Sequence, residues 1–232
     1  MTFSRNMKAL LIPLKDPANA KSRLAGLLLA DERRRLAWAM FEDVSRAVCA
    51  TTKPDRVVLV SNFEPAIEHA RSVGWEVLVE ASQQSESASV DWASRVLAER
   101  GFDTVMRLPA DIPLVEARDI DELISVELRA PAAVLVPSRE GTGTNAILRT
   151  PPDLFPSRFG PNSLTLHKQE GLQAGVECLI VTSTRIALDI DEPVDLKVLL
   201  ETGGSTQTLS VLAEMRIAGR TVLGARPSRP SV

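Results

Sequence analysis

Short apolar runs alternate with amphipathic segments of helical spacing along most of this chain. The apolar runs are bounded by proline, glycine or charged residues, which is typical of buried strands. Because a helix that links two strands usually places them parallel in one sheet, the alternation predicts an α/β fold with a mostly parallel sheet. The strands are predicted at residues 7–13, 56–61, 75–79, 103–108, 132–136 and 176–181.

Length and charge limit the functions that such a chain can have. The 232 residues fit one domain, predicted over residues 1–217, and an Arg/Pro/Ser/Gly-rich tail over 218–232 is predicted to be disordered. A net charge of −3 gives no case for a nucleic-acid surface, so an anionic substrate would need a local cluster of positive charge. The chain lacks both a stretch of ~18 apolar residues and a signal-peptide pattern, which predicts a cytoplasmic protein.

One acidic residue, Asp111, lies just beyond the fourth predicted strand, and Pro113 prevents that strand from continuing inside a sheet. In an open parallel sheet, ligands bind beyond the carboxyl ends of the strands. A carboxylate at this position suits Mg²⁺, which binds through one or two carboxylates together with substrate phosphates. A turn-forming aspartate before a proline is an equally simple interpretation.

The segment after the first strand carries the cations Lys15, Lys21 and Arg23. A loop in this position is a usual phosphate-binding place in α/β proteins. It contains no glycine, so side chains would have to hold an anion without a backbone cradle. A solvated basic loop without a ligand is the alternative.

Two later segments could also approach an anion closely. Residues 138–148 combine two glycines with threonines in a loop rich in donors, and a hairpin turn would explain the same residues. Asn162 or Ser163 is placed to begin a helix, whose N-terminus offers free N–H groups to a phosphate or carboxylate. Ordinary helix capping is the simpler explanation of these two residues.

Asp189 and Asp191 alternate with apolar residues, so both side chains should project from one face of an extended segment. Two carboxylates on one face repel each other unless a cation lies between them. We therefore predict that at least one of them binds a metal ion. Asp191 could instead cap a helix that begins near Glu192.

Taken together, and in their order along the chain, the segments described above resemble those of the guanylyltransferases that act in the biosynthesis of the deazaflavin coenzyme F-420. They belong to a nucleotidyltransferase superfamily that also includes molybdenum-cofactor guanylyltransferases. The matching segments are Ile-Pro-Leu-Lys at 12–15, Ala-Lys-Ser-Arg-Leu at 20–24, Leu-Pro-Ala-Asp-Ile-Pro-Leu at 108–114, Gly-Thr-Asn-Ala at 143–146, Phe-Gly-Pro-Asn-Ser at 159–163 and Leu-Asp-Ile-Asp-Glu-Pro-Val-Asp-Leu at 188–196. Each segment is modest alone, but the full series is hard to obtain by chance.

The resemblance implies a three-layer, Rossmann-like nucleotidyltransferase domain with Mg²⁺ as its cofactor. It also implies a reaction that joins GTP to 2-phospho-L-lactate, phosphoenolpyruvate or 3-phospho-D-glycerate and releases pyrophosphate. The implied metal ligands are Asp111, Asp189 and Asp191. The implied acceptor-binding residues are Thr144, Gly160 and Ser163. The basic first loop of the family, with a catalytic and nucleotide-binding role, is matched by Lys15, Lys21 and Arg23.

One segment departs from the family pattern. Many relatives open the third helix with Gly-Leu-Asn-Ala-Ala, whereas this chain has Ser-Val-Asp-Trp-Ala at 89–93, so Asp91 replaces an asparagine. In the wider superfamily this region lies near the base and the ribose. Asp91 is therefore predicted to bind the nucleotide. Because it replaces the asparagine of the family, guanine preference is the implied property that depends on this position.

Two other functions stay open on the sequence alone. One is a nucleotidyltransferase that acts on a sugar phosphate or a molybdopterin, and the other is a nucleotide-binding module without turnover. A first loop without a glycine-rich signature disfavours sugar substrates, and the presence of all three aspartates favours an enzyme. The expected partners are GTP and a small phosphorylated acid, without nucleic acid or membrane, and the assembly is left open between a monomer and a homodimer.

Overall fold

A seven-stranded sheet forms the centre of the computed structural model, which describes residues 6–82, 84–217 and 219. The strand bounds are β1 Lys8–Pro13, β2 Arg56–Ser61, β3 Glu76–Val79, β4 Thr104–Arg107, β5 Ala132–Pro137, β6 Thr144–Thr150 and β7 Leu179–Ile180. The strand order is β3-β2-β1-β4-β6-β5-β7, in which β6 runs antiparallel to both of its neighbours and the other pairs are parallel. The predicted α/β fold with a mostly parallel sheet is confirmed.

Helices cover both faces of the sheet and complete three layers. Their bounds are α1 Ala30–Cys49, α2 Glu64–Ser72, α3 Glu86–Glu99, α4 Ala117–Ile124, α5 Ser163–Gln173, α6 Pro193–Thr202 and α7 Gln207–Glu214. Apolar side chains of α1, α2 and α4 bury one face of the central strands, and those of α3 bury the opposite face. A separate apolar cluster joins the outer side of α1 to α6 and α7. Burial of these surfaces is the main term that stabilises such a fold.

Strand β6 is the main difference from the sequence-based expectation. Residues 144–148 were predicted within a donor-rich loop or a hairpin, and the hairpin interpretation is confirmed by the pairing of β5 with β6. The strand is buried along its whole length although it contains Asn145 and Arg149. These two side chains find hydrogen-bond partners in other segments, which a local pattern cannot reveal.

Several element boundaries also differ. Helix α3 begins at Glu86, although the helical spacing of apolar residues in the sequence starts only at Val90, because the Ser85 side chain accepts a hydrogen bond from the Ala88 N–H at 3.1 Å. The predicted strand at 176–181 shortens to Leu179–Ile180. Helix α6 begins after Glu192, and its first turn is capped by the Asp195 carboxylate, which accepts from the Glu192 N–H at 2.8 Å.

Within the described ranges, no helix is long and apolar enough to cross a membrane. Apart from residue 219, the tail predicted over 218–232 lies outside the described residues. The domain boundary at residue 217 therefore stays a prediction.

Candidate active site

Two adjoining cavities open at the carboxyl ends of β1 and β4. The loop cavity, of about 370 Å³, lies between residues 13–21 and the first turn of α3. The hairpin cavity, of about 590 Å³, lies between the β5–β6 turn, the start of α5 and residues 189–195. Both are lined by Glu86, Arg107, Pro109, Asp111 and Asp191, so their junction lies at the predicted metal-binding aspartates.

Three carboxylates converge at this junction, as the sequence predicted. One oxygen from each of Asp111, Asp189 and Asp191 lies within 4.8 Å of the others. Asp111 follows β4, while Asp189 and Asp191 lie on the extended segment that enters α6, and the Ile190 N–H donates to the Asp111 carbonyl at 3.1 Å. That backbone bond joins the two segments. Half-buried carboxylates in this arrangement fit a hard cation such as Mg²⁺.

The cation that lies between these carboxylates is Lys21. Its Nζ atom donates to Asp111 Oδ2 at 2.6 Å and to Asp191 Oδ1 at 2.7 Å, and its side chain is only 8% exposed. Burial alone would lower the pKa of Lys21, but the charges and hydrogen bonds of the two aspartates raise it above its ordinary value. The ammonium group therefore holds two of the three candidate metal ligands together.

The three carboxyl groups do not share one electrostatic environment. Burial acts to raise the pKa of Asp111, but the Lys21 ammonium, helped by Arg107, holds it below its usual value. Burial and the charge of Asp111 raise the pKa of Asp189 to about 6, against a lowering by the hydrogen bond from Asn145. Lys21 contacts Asp111 and Asp191 but not Asp189, which explains the opposite directions.

Asn145 contacts the candidate site, and the sequence interpretation gave it no role. Its Nδ2 group donates to the Asp189 carboxylate at 3.0 Å and to the carbonyls of Ile186 and Ala187 at 2.9 and 3.0 Å. These bonds fix Asp189 relative to β6. The sequence held one clue to this role, namely that Asn145 belongs to the Gly-Thr-Asn-Ala segment that the family shares. In the structure, its buried amide lies at the start of β6 and donates to the Asp189 carboxylate.

The cations of the first loop separate instead of forming one cluster. Lys15 is exposed at the rim of the loop cavity. Lys21 adopts a left-handed backbone conformation, with φ of +54°, and points to the carboxylates. Arg23 lines the hairpin cavity, where its Nη1 atom lies 3.3 Å from Glu192 Oε1. The predicted triphosphate-binding role therefore fits the position of Lys15 better than that of Arg23.

Thr144, Gly160 and Ser163 are brought together on the wall of the hairpin cavity. The Thr144 N–H donates to Ser163 Oγ at 2.8 Å, and the Ser163 N–H donates to the Gly160 carbonyl at 3.2 Å. Gly160 has φ of +124°, a conformation that strains other residues, so glycine is required at this turn. The resemblance to acceptor-binding positions is thus matched by spatial proximity.

His167 of α5 supports this wall from behind. It is completely buried, and Nε2 accepts a hydrogen bond from the Arg158 N–H at 2.8 Å. Nδ1 must then carry the proton and donate to Thr144 Oγ1 at 3.0 Å. Burial, reinforced by nearby positive charges led by Arg149, lowers the pKa of His167 to about 3. The neutral imidazole thus connects Thr144 of β6 to the backbone at Arg158, which precedes the Phe159–Gly160 turn.

We expect His167→Gln to weaken the dependence of stability on pH. Below the unfolded-state pKa of 6.5, His167 binds a proton in the unfolded chain but stays neutral in the native chain. The free energy of unfolding therefore decreases as pH falls toward 3. The loss is at most about 1.4 kcal/mol per pH unit. Chemical denaturation of both proteins between pH 7.5 and 5.0 should show that wild type loses stability more steeply than His167→Gln below pH 6.5, and parallel curves would contradict this prediction.

Asp91 is not among the residues that line either cavity. Its two carboxylate oxygens accept from the Ser157 N–H, each at 3.0 Å, and Oδ1 lies 3.3 Å from Arg149 Nη1. The Arg149 side chain is only 2% exposed and also donates to the Phe155 carbonyl and to Ser94 Oγ at 3.1 Å. Asp91 therefore neutralises a buried arginine, and its nucleotide-binding role stays a prediction without support from this geometry.

We expect Asp91→Ala to destabilise the fold by about 1–3 kcal/mol, because it removes hydrogen bonds to a buried guanidinium and to a backbone N–H. Its effects on GTP and ATP binding should be equal. Asp91→Asn, which keeps an acceptor for Ser157, is the matched control and should lose less stability. Denaturant titration together with nucleotide binding checks both points. A selective loss of GTP binding would instead assign Asp91 to the base.

Comparison with known proteins identifies the family. A model described as "Guanylyl transferase CofC like" matches residues 7–228. The phosphoenolpyruvate guanylyltransferase of Rubrobacter xylanophilus is 35% identical over 84% of this chain and 94% of the relative. The 3-phospho-D-glycerate guanylyltransferase of Colwellia psychrerythraea is 30% identical over 88% and 97%. The 2-phospho-L-lactate guanylyltransferase of Methanothermobacter thermautotrophicus is 30% identical over 95% and 94%.

Solved structures agree on the fold. A chain from Desulfovibrio desulfuricans G20, described as a nucleotide-diphospho-sugar transferase, superposes with a TM-score of 0.75 at 16% identity and covers 92% of this chain and 97% of its own. A nucleotidyl transferase from Methanothermobacter gives a TM-score of 0.61 at 15% identity, over 85% of this chain and 100% of its own. The Rossmann-like nucleotidyltransferase fold is thereby confirmed. With its family match nearly end to end, the chain belongs to the CofC-like guanylyltransferases.

Proposed function

We propose that this protein transfers the guanylyl group of GTP to the phosphate of a small three-carbon acid, with release of pyrophosphate, in the biosynthesis of coenzyme F-420. One observation carries the proposal: two cavities meet at three convergent carboxylates. The loop cavity offers Lys15 and Lys21 to a triphosphate. The hairpin cavity offers a second substrate Thr144, Gly160 and Ser163, which the family resemblance assigns to the acceptor.

The chemistry at the junction is a displacement between two anions. A phosphate oxygen of the acid attacks the α-phosphorus of GTP, and pyrophosphate leaves from the opposite side. Because the nucleophile is already an anion, no general base is needed. The residues must position the two phosphates and offset their repulsion, which is where such enzymes obtain most of their rate.

Asp111, Asp189 and Asp191 are proposed to hold Mg²⁺. When bound, this ion would neutralise and orient the phosphates at the junction. Asn145 keeps the Asp189 carboxylate directed toward that point. Lys21, which neutralises Asp111 and Asp191 in the structure, is proposed to contact the triphosphate once a metal ion takes its place.

The acceptor side is proposed to take a small anionic molecule. The Thr144 hydroxyl, the Ser163 hydroxyl and the backbone at Gly160 are proposed to orient the acid in the hairpin cavity. The family acids differ only in a methyl, methylene or hydroxymethyl group and in the position of the phosphate. Phosphoenolpyruvate is the acceptor named for the relative at 35% identity, and we propose it as the first candidate.

The test is pyrophosphate release with GTP, Mg²⁺ and each of the three acids, followed by mass spectrometry of the product from their mixture. A guanylylated acid supports the proposal. Tight GTP binding without turnover would support a nucleotide-binding module, and a product formed only from a sugar phosphate or a molybdopterin would support the alternative transferase. Omission of Mg²⁺ tests the metal requirement. A homodimer and a cytoplasmic location stay predictions.

A further inference from the structure

Arg107 ends strand β4 on the wall that both cavities share. The residue is only 6% exposed, and its guanidinium brings a permanent positive charge into the cleft. A buried charge is costly to hold unless hydrogen bonds and an opposite charge compensate it. The partners of this guanidinium therefore indicate whether it has capacity for a ligand.

The guanidinium is incompletely paired. Nη1 donates to the Asn145 carbonyl at 2.7 Å, and Nη2 donates to a carboxylate oxygen of Glu86. The group also lies over the Phe159 ring, 4.3 Å from its centroid. Within the described residues, Nε is buried without any hydrogen-bond partner. Since arginine carries five N–H donors, this side chain retains donors beyond those that Asn145 and Glu86 use.

The fixed contacts of Arg107 belong to the acceptor side. Asn145 and Phe159 line the hairpin cavity and not the loop cavity. The other arginines that line the hairpin cavity in the described ranges, Arg23 and Arg139, have side chains 63% and 39% exposed. Arg107 is thus the least exposed of the arginines that line this cavity within the described ranges.

Glu86 is the partner that a ligand can replace. Its side chain is 37% exposed and lines both cavities. It is also the first residue of α3, where the helix N-terminus favours a negative charge even without Arg107. A phosphate offers the guanidinium the same kind of paired oxygens as a carboxylate, with more negative charge. Exchange of one anion for the other keeps the buried arginine compensated.

We propose that Arg107 binds the phosphate of the acceptor acid and gives up its ion pair with Glu86 when the acid enters the hairpin cavity. The inference rests on the proposed function, because it takes the hairpin cavity as the acceptor site. The phosphate would then lie beside Asp111, at the junction where it must meet the α-phosphate of GTP. Arg107 is a substrate-binding residue in this arrangement, and Glu86 is its counter-ion in the free enzyme.

Steady-state kinetics of Arg107→Met, Arg107→Lys and Glu86→Gln, with each substrate varied in turn, test the inference. Arg107→Met should raise the KM for the acid by about tenfold or more, because charge-assisted hydrogen bonds are lost, and leave the KM for GTP nearly unchanged. Glu86→Gln should move the KM for the acid the other way, severalfold below wild type, because a competing anion is removed. Thermal melting reports whether each variant is folded.

The outcomes separate the possible errors. A folded Arg107→Met with an unchanged KM for the acid, or with a rise in the KM for GTP alone, would overturn the inference. So would a Glu86→Gln protein whose KM for the acid equals or exceeds that of wild type, and this arm decides if Arg107→Met does not fold. If wild type guanylylates none of the acids, the proposed function fails first. Calorimetric titration of phosphoenolpyruvate into wild type and Arg107→Lys then still tests Arg107, and equal affinities would refute its role.

Discussion

Asp111→Asn is expected to lower guanylyl transfer by about 10²–10³, the cost of removing one group that stabilises charge in the transition state. The substitution keeps the size and shape of the side chain but removes the charge proposed to bind Mg²⁺. The fold should survive, because Lys21 keeps its second hydrogen bond, to Asp191. Pyrophosphate release as a function of Mg²⁺ concentration, together with thermal melting, measures both effects.

A matched control is Asp31→Asn, whose carboxylate is 80% exposed near the start of α1 and should not affect turnover. Asp189→Asn and Asp191→Asn should resemble Asp111→Asn if the three carboxylates share one metal site. The double variant of Asp111 and Asp191 should then lose far less than the product of the single losses, because groups that act as a unit are not additive. Near-normal turnover in Asp111→Asn would remove this strand end from the active site.

Lys21→Met should have two effects of opposite sign. Turnover should fall by about 10²–10³, because the ammonium proposed to neutralise the triphosphate is lost. The affinity for Mg²⁺ in the absence of nucleotide should rise, because the Lys21 ammonium no longer neutralises Asp111 and Asp191. Titration of the melting temperature with Mg²⁺ measures that affinity without any turnover.

The matched control for this experiment is Lys15→Met in the same loop. Lys15 is exposed and makes no ion pair with the three carboxylates, so its loss should weaken GTP binding without changing the affinity for Mg²⁺. Equal Mg²⁺ affinities for wild type and Lys21→Met would contradict the proposed competition between the ammonium group and the metal ion. If the affinity for Mg²⁺ also rises in Lys15→Met, the change in Lys21→Met is explained by the loss of one positive charge and not by the contacts of Lys21.

The parallel half of the fold was predictable because its strands are nearly continuous apolar runs. Strands β1, β2 and β4 bury both faces and need little from distant residues. Strand β6 escaped prediction because the amide of Asn145 and the guanidinium of Arg149 are buried with partners far along the chain. Arg149 pairs with Asp91, 58 positions earlier, and no local pattern encodes such a contact.

The candidate site shows the same division. The convergence of Asp111, Asp189 and Asp191 was predicted, because their places on the chain and the family resemblance agreed. The sequence required a cation between carboxylates but could not choose Lys21 from the basic loop. Arg107 lies inside the strand predicted over 103–108 and was given no role, because its contacts with both cavities depend on the tertiary fold.

Because β6 runs antiparallel to β4, the register between these two strands determines which residues of β6 reach the candidate site. Met106 of β4 lies opposite Leu148, and Arg107 lies opposite Ile147, which brings the amino end of β6 to the edge where β4 ends. A slip of one residue would turn every side chain of β6 to the other face of the sheet. Asn145 would then lose its hydrogen bond to Asp189. The side chains of β6 that line the hairpin cavity would face the opposite side of the sheet. A one-residue insertion in β6 should therefore abolish activity even in molecules that still fold.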